Sequence, residues 1–435
     1  MNLNYLDKLL PVNFHLKPYF TALKMKFPTN NCHACSGTMK DEYLFSHHAS
    51  RITHHDSHIK LLTLIISVIF LLFHSSCTPG KGPAQFNTSI SISDILKDHS
   101  TEGFELAIKP RSFSFPSDHG PHETFKTEWW YFTGNLDTKE GRHFGYELTF
   151  FRTALSAKTL QRQSWWSSKN IYMAHFAISD VKNKSFHAFD RFSRDGLSLA
   201  GAQSEPFKVW LEDWIVSGEH LFPMVLSASE KNISINLTMS GEKPVVIQSN
   251  KGLSQKGPSI GNASYYYSYT RLNTEGIIKI ENNNFPVHGL SWMDREWSTS
   301  TLEENQVGWD WFAIQLSDGR EVMYYQIRKK DGSAESLSNG TLINTDGTFK
   351  SLSLNDVKLQ VIDYWKSSDG KAIYPSEWYL NIPKEKMELH IIPYMPDQEL
   401  NLTVRYWEGA IKVTGTCKEK NISGNGYVEL TGYSQ

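Results

Sequence analysis

Short segments in which apolar and polar residues alternate recur along most of the chain after its first hundred residues. Clear examples lie at 146–152, 172–178 and 235–239, where β-branched and aromatic residues are bounded by turn-forming residues. Alternation with a period of two predicts strands that bury one face. The compositions at 137–141 and 317–319 predict hairpin loops. Because helical periodicity is scarce, the pattern predicts an antiparallel all-β protein.

One pattern of strand, loop and strand occurs twice in the chain. The first copy starts at the aromatic cluster 129–132 and contains a Gly-Arg pair at 141–142. The second copy starts at 309–312 and contains the same pair at 319–320, after a slightly shorter loop. Loops absorb such length differences at little cost in free energy. A repeat this long indicates two duplicated β-domains in tandem rather than a solenoid, whose units run about 20–50 residues.

The N-terminal part of the chain carries an export signal. Lys60 precedes an apolar run at 61–73, which is too short to span a bilayer but fits a signal-peptide core. Small residues then precede Cys77, as in a bacterial lipobox, so Cys77 is the predicted lipidation site; an ordinary signal peptide is the alternative. The predicted segments are a leader at 1–77, a tether at 78–100, an N-terminal β-domain at 101–285 and a C-terminal β-domain at 286–435.

The predicted signal peptide and lipobox indicate an exported lipoprotein on the periplasmic side of a bacterial envelope, with a soluble secreted protein as the alternative. The formal net charge of -2 and the absence of a basic patch argue against a nucleic-acid partner. The chain has no Gly-X-Ser-X-Gly elbow and no His-Glu-X-X-His motif, which argues against serine-esterase and zincin chemistry. We predict no cofactor and no metal. The expected partner is an apolar small molecule, and the membrane is contacted only through the lipid anchor.

One predicted strand places carboxylates among bulky aromatic side chains. If it is extended, His288, Trp292, Asp294 and Glu296 share one face and Arg295 lies on the other. The two carboxylates then stand about 7 Å apart. The indole beside Asp294 desolvates the carboxyl group and raises its pKa, which suits a general acid.

A series of motifs extends in order over the whole predicted mature chain. It comprises His122 and the segments 127–136, 145–152, 266–272, 289–297, 308–312, 318–324, 374–378, 398–400, 406–409 and 426–433. In these motifs the chain resembles the AttH-like and carotenoid 1,2-hydratase proteins, often described as predicted secreted hydrolases. The resemblance implies two packed lipocalin-like barrels and an activity that adds water to a C=C bond of an apolar isoprenoid or a related natural product. Other members of the family guide pericyclic cyclisations. The family commonly has histidine where this chain has Arg295.

The strand pattern and the resemblance together give a catalytic hypothesis. Asp294 would protonate the alkene carbon, and Trp292 with Tyr267 would stabilise the cationic state by cation–π attraction. Glu296 or His288 would deprotonate the incoming water. The predicted substrate-binding residues are Trp297, Trp309, Trp311 and Tyr269.

Other functions fit the same residues, so whether the chain is an enzyme stays open; if it is, a hydro-lyase is expected. A non-catalytic lipocalin-like carrier would hold a hydrophobic ligand without changing it. A secreted hydrolase acting on glycans would use two carboxylates about 5–9.5 Å apart. Structural roles are the alternative for single residues: Trp309 and Trp311 as core plugs, and Glu128 as a buried partner of Arg152. Arg271 and Arg328 are predicted to pair with interior acids.

Overall fold

The computed structural model describes residues 90–91, 101–157, 167–300 and 302–433. The described residues belong to one compact unit, Phe86–Gln435. The predicted leader with Cys77, and the predicted tether apart from residues 90–91, lie outside them. No helix among the described residues combines the length and apolar character needed to cross a membrane.

The first of two large sheets contains thirteen strands. The first strand among the described residues, β1 (Ile90–Ser91), belongs to the other sheet. The strands of the first sheet are β2 (Thr127–Asp137), β3 (His143–Ala154), β4 (Asn170–Asp180), β5 (Ser185–Arg194), β6 (Ala200–Gln203), β7 (Phe207–Leu211), β8 (Trp214–Gly218), β9 (Met224–Glu230), β10 (Ile233–Gly241), β11 (Val246–Ile247), β12 (Leu253–Gln255), β13 (Ala263–Ile280) and β14 (Asn283–Ser300). Their order is β5-β4-β3-β2-β14-β13-β10-β9-β8-β7-β6, with β11 and β12 also paired to β13.

The second sheet contains eleven strands, including β1. Its other strands are β15 (Gln306–Leu316), β16 (Glu321–Lys329), β17 (Asn339–Ile343), β18 (Phe349–Ser353), β19 (Lys358–Lys366), β20 (Ile373–Ile382), β21 (Met387–Pro393), β22 (Glu399–Asn401), β23 (Val404–Cys417) and β24 (Lys420–Leu430). Their order is β18-β17-β16-β15-β24-β23-β21-β20-β19, with β1 and β22 also on β23. Short 3-10 helices in the described part lie at Ser117–His119, Gly196–Ser198, Leu354–Asp356 and Pro383–Glu385.

Each sheet curls around its own apolar core, as the period-two pattern requires. In β10, Ile233, Ile235, Leu237 and Met239 are buried in the first core, whereas the intervening residues are more exposed. The second core is equally apolar and includes Trp378 and Trp407 among its largest buried side chains. The predicted all-β fold of two antiparallel lipocalin-like barrels is confirmed.

The internal repeat corresponds to two equivalently placed hairpins. In the first sheet β2 pairs with β3 and with the last strand, β14. In the second sheet β15 pairs with β16 and with the last strand, β24. The chain passes between the sheets after Ser300 and before Gln306, downstream of the domain limit expected after residue 285. The reason is that β14 continues its pairing with β13 and β2 well beyond that point.

A third apolar cluster joins the two barrels. Tyr131 and Tyr266 of the first sheet contact Trp311, Met323 and Tyr325 of the second within this cluster. All five side chains are buried. The candidate site lies within this junction, where side chains of both sheets face each other.

Candidate active site

A cavity lies at the junction between the two barrels. Aromatic side chains dominate its wall, which also carries four carboxyl groups and one lysine. The lining residues are Trp129, Tyr131, Phe151, Lys256, Tyr266, Asp294, Glu296, Leu302, Trp309, Trp311, Tyr325, Ile327, Tyr406, Glu408 and Glu429. This composition matches the general character of small-molecule sites, which combine an apolar wall with a few convergent polar groups.

Asp294 is held on this wall by three hydrogen-bond donors. The Tyr266 hydroxyl donates to Oδ2 at 2.5 Å. The Ser268 hydroxyl and the Trp292 indole N–H donate to Oδ1 at 2.5 Å and 2.7 Å. Two donors fill the lone-pair sites of Oδ1, whereas Oδ2 keeps one open site. A proton on Asp294 therefore has its place on Oδ2.

The environment of Asp294 favours the protonated form. Burial raises the pKa of Asp294 to about 7; the three hydrogen bonds oppose this shift, and the neighbouring Glu296 adds to it. The side chain is only 4% exposed. A carboxyl group with a pKa close to neutrality can both give and take a proton under physiological conditions.

Arg295 does not counteract this shift, because its side chain lies on the other face of β14. Its guanidinium forms an ion pair with Glu128 and stacks on Trp130 at 3.8 Å from the ring centroid. Glu128 also pairs with Arg152, as predicted. The two cations outweigh the effect of burial and hold the pKa of Glu128 far below its usual range.

The other predicted structural ion pairs are also present. Arg271 contacts Glu321 at 2.5 Å, and Arg328 contacts Asp310 at 2.9 Å. These pairs lie away from the cavity wall, and both acids are buried. The pairs therefore fix strands rather than line the site.

Glu296, two residues after Asp294, lines the same cavity in a different environment. Its Oε1 accepts a hydrogen bond from the Ser264 hydroxyl and contacts the Lys256 ammonium at 3.0 Å. Burial opposes the charge on Lys256, but the Glu296 carboxylate more than compensates and raises the pKa of Lys256. The ammonium also lies 4.2 Å from the centroid of the Tyr325 ring.

The tyrosine beside Asp294 is Tyr266, and not the predicted Tyr267. In the register of β13 and β14, Tyr266 is opposite Glu296 and Ser268 is opposite Asp294, so these residues share a face. Tyr267 points the other way, where its hydroxyl contacts His119 Nδ1 at 2.6 Å. The predicted substrate contact Tyr269 shares that face and packs on Phe222 in the first barrel.

The remaining predicted residues divide between the cavity and other places. Trp309 and Trp311 line the cavity. Trp292 lies behind the wall, where it donates to Asp294 and packs against Trp311. Trp297 lies on the opposite face of β14 and stacks on His122. His288 is exposed, and its six-residue separation from Asp294 amounts to about 20 Å along an extended strand.

A second group of acids, which was not predicted from the sequence, lies at the cavity. Glu408 of β23 and Glu429 of β24 are opposite each other in register and line the cavity, and Glu147 of β3 lies next to Glu408. Burial raises the pKa of Glu429 to about 8 and that of Glu147 to about 7, and it raises the pKa of Glu408 well above its usual value. The motifs 406–409 and 426–433 contained the two glutamates, but only the strand register shows that they meet. Among the described residues, no group of His, Cys, Asp and Glu is arranged to hold a metal ion.

The fold and the site define a two-barrel β-protein with a buried, acid-lined aromatic cavity at the barrel junction. Residues 106–433 match the AttH-like family, and the chain belongs to that family. It is similar to the crystal structure of a protein described as an AttH from Nitrosomonas europaea. The identity is 34% and the TM-score 0.67, over 76% of this chain and 100% of that one.

Two further comparisons concern kievitone hydratases. The chain is 23% identical over 210 residues to kievitone hydratase from Fusarium solani subsp. phaseoli, which covers 47% of this chain. The match spans only 58% of the length of that curated relative. The crystal structure of kievitone hydratase from Nectria haematococca is similar in fold, with 15% identity and a TM-score of 0.58 over 77% of this chain and 97% of that one.

Proposed function

We propose that the protein is a hydratase that adds water across a C=C bond of an apolar, isoprenoid-like small molecule, and that the cavity around Asp294 is its active site. The observation that carries the proposal is the Asp294 carboxyl group, which is buried in an aromatic cavity with its pKa raised to about 7. The similarity to kievitone hydratase supports the reaction class.

In the proposed reaction, the proton on Oδ2 of Asp294 passes to one alkene carbon. The π electrons form the new C–H bond, and positive charge develops on the neighbouring carbon. The faces of Trp309 and Trp311 stabilise this charge by cation–π attraction. A water molecule then forms the C–O bond at the cationic carbon and gives up one proton.

Glu296 is the proposed acceptor of that proton. It lines the cavity two residues from Asp294, and Lys256 neutralises its charge in the resting state. Transfer of the proton from Glu296 to Asp294 restores the starting state without a net change in charge. The exposed position of His288 makes it unsuitable for the same role.

The test begins with native mass spectrometry and extraction of the ligand that the protein retains when purified from its own host. The extracted molecule is then incubated with protein in ¹⁸O-labelled water. We expect a product that contains one additional water bearing the label, with much slower formation in Asp294→Asn and normal formation in the exposed control Asp363→Asn. A retained molecule that stays unchanged would contradict the hydratase and support the carrier function, since a carrier would use the same cavity without chemistry.

We also propose that the chain is exported and anchored to the envelope through a lipid on Cys77. The apolar run at 61–73 and the small residues before Cys77 support this. Mass spectrometry of the mature N-terminus from the native host should find an acyl-modified Cys77, and Cys77→Ser should release the protein from the membrane fraction. An unmodified N-terminus downstream of Cys77 would contradict the anchor.

A further inference from the structure

The last strand of each sheet carries an acid at an equivalent position, and both acids line the cavity. The internal repeat makes Tyr131 of β2 equivalent to Trp311 of β15, since each is the third residue of its aromatic cluster. Asp294 of β14 is opposite Tyr131, and Glu429 of β24 is opposite Trp311. Because β14 and β24 are the last strands of their sheets, Glu429 is the counterpart of Asp294 in the second barrel.

The strands on the other side of β14 and β24 support the same equivalence. Ser268 of β13 is opposite the first acid, and Glu408 of β23 is opposite the second. A tyrosine stands two residues before each of them, Tyr266 in the first sheet and Tyr406 in the second, and both tyrosines line the cavity. The cavity therefore receives one acid from each barrel, with corresponding neighbours on both sides.

Glu429 is also the most accessible acid of the cavity wall. Asp294, Glu296 and Glu408 are each at most 5% exposed, whereas Glu429 is only partly buried. Burial nevertheless raises the pKa of Glu429 to about 8, so the accessible part of its side chain faces the cavity and not bulk water. The Trp309 indole hydrogen-bonds to the carboxyl group and holds it at the wall. Glu429 can therefore contact a bound molecule directly.

The groups around Glu429 favour its neutral form. Among the described lining residues, Lys256 is the one basic side chain, and it is already paired with Glu296. The other titratable groups near Glu429 are acids or tyrosines whose pKa values are raised by burial, namely Asp294, Glu147, Glu408, Tyr131 and Tyr406. Positive charge on a bound molecule would shift this balance and favour ionisation of Glu429.

We propose that Glu429 is a second catalytic acid of this cavity, which gives its proton to a C=C bond from the second barrel as Asp294 does from the first. The proton leaves the Glu429 carboxyl group, and the π electrons form the new C–H bond. The carboxylate then faces the positive charge on the neighbouring carbon, and the water that forms the C–O bond returns a proton to it. The inference rests on the proposed function, but it adds a requirement that binding alone can test: Glu429 must ionise beside a cation in the cavity.

The probe is geranyltrimethylammonium, an isoprenoid with a permanent positive charge that resembles the cationic state. Its binding is measured by isothermal titration calorimetry at about pH 6, where both acids are protonated, in two buffers with different ionisation enthalpies, which gives the number of protons released. We expect the unmodified protein to release about one proton per bound cation, because one carboxylate neutralises one charge. The uncharged hydrocarbon 2,6-dimethylocta-2,6-diene should release none.

Variants identify the source of the proton. Asp294→Asn should still release about one proton, which Glu429 supplies, and Glu429→Gln should also release about one, which Asp294 supplies. Combination of the two substitutions should abolish the release, and the exposed control Glu388→Gln should behave like the unmodified protein. In the hydration test, adding Glu429→Gln should lower the residual rate of Asp294→Asn by at least about tenfold.

Several results would overturn the inference. The first is absence of proton release in Asp294→Asn, a variant that leaves Glu429 unchanged, so a folding defect at Glu429 cannot cause it. Release that persists in the double variant would place the proton on Glu408 or Glu147 instead. Failure of the cation to bind below about 1 mM would count equally against the inference. Absence of ¹⁸O incorporation would refute the hydratase but leave the proton release standing, so the two failures are distinguishable.

Discussion

The raised pKa of Asp294 predicts that replacing it with asparagine stabilises the protein in a pH-dependent way. The pKa is 3.8 in the unfolded chain and about 7 in the folded protein. Between these values the folded protein binds more protons than the unfolded chain, so the free energy of unfolding falls as the pH rises through this window. At about 1.4 kcal/mol per pKa unit, the total penalty is about 4 kcal/mol, as an upper limit.

Asparagine cannot ionise, so Asp294→Asn escapes this penalty. The amide nitrogen that takes the position of Oδ2 cannot accept a hydrogen bond from the Tyr266 hydroxyl. The loss of this hydrogen bond costs about 1 kcal/mol. We therefore expect the variant to be about 3 kcal/mol more stable than the unmodified protein at about pH 8, and within about 1 kcal/mol of it at about pH 5.

The assay is urea unfolding followed by tryptophan fluorescence at both pH values. The exposed Asp363→Asn serves as the control and should show no comparable pH dependence. A stability difference that stays constant between the two pH values would refute the reasoning, because it would show that Asp294 binds no additional proton on folding.

Three further predictions concern the reaction rate, a buried ion network and the contact between the barrels. The rate of hydration should fall as the pH rises through about 7, where Asp294 loses its proton; a rate that rises over this range would contradict its role as the acid. Glu128→Gln should lower the free energy of unfolding by about 3–5 kcal/mol, because it leaves the charges of Arg152 and Arg295 without their carboxylate partner in the interior. A loss below about 1 kcal/mol, measured by thermal unfolding, would contradict this. Gly145→Ala should cost about 1–3 kcal/mol, since its methyl group would lie 2.5 Å from Cβ of Ala410; urea unfolding of Gly145→Ala combined with Ala410→Gly should recover most of the loss.

The part of the site that lies on a single strand could be predicted from the sequence. Alternation along β14 places Asp294 and Glu296 on one face and Arg295 on the other. In the structure Asp294 and Glu296 line the cavity, whereas Arg295 pairs with Glu128. This rule needs only the side-chain period of an extended strand. It also explains why Arg295 is absent from the cavity wall and pairs with Glu128 on the other face.

The parts of the site that depend on pairing between strands could not be predicted. The alternation in β13 separates Tyr266 from Tyr267 and Tyr269, but it does not say which set faces Asp294; that follows from the register with β14. Glu408 and Glu429 reach the cavity from the second sheet, and only the packing of the two barrels brings them there. A shift in register by one residue would exchange the faces.

The boundary between the two β-domains also depends on which strands pair. The internal repeat predicts two units with a limit near residue 286, whereas β14 stays in the first sheet to Ser300. A long strand pair is stabilised by neighbours on both sides, here β13 and β2, and these lie far apart in the chain.

In the proposed reaction, hydration begins with a proton that Asp294 donates. The most direct measurement is the initial rate of product formation from the captured ligand in H₂O and in D₂O, for the unmodified protein and for Asp294→Asn. The proposed mechanism predicts one deuterium on carbon and one hydroxyl oxygen from solvent in each product molecule, and a rate lowered by at least about a hundredfold in the variant. Full turnover by Asp294→Asn, or a product without deuterium on carbon, would contradict it.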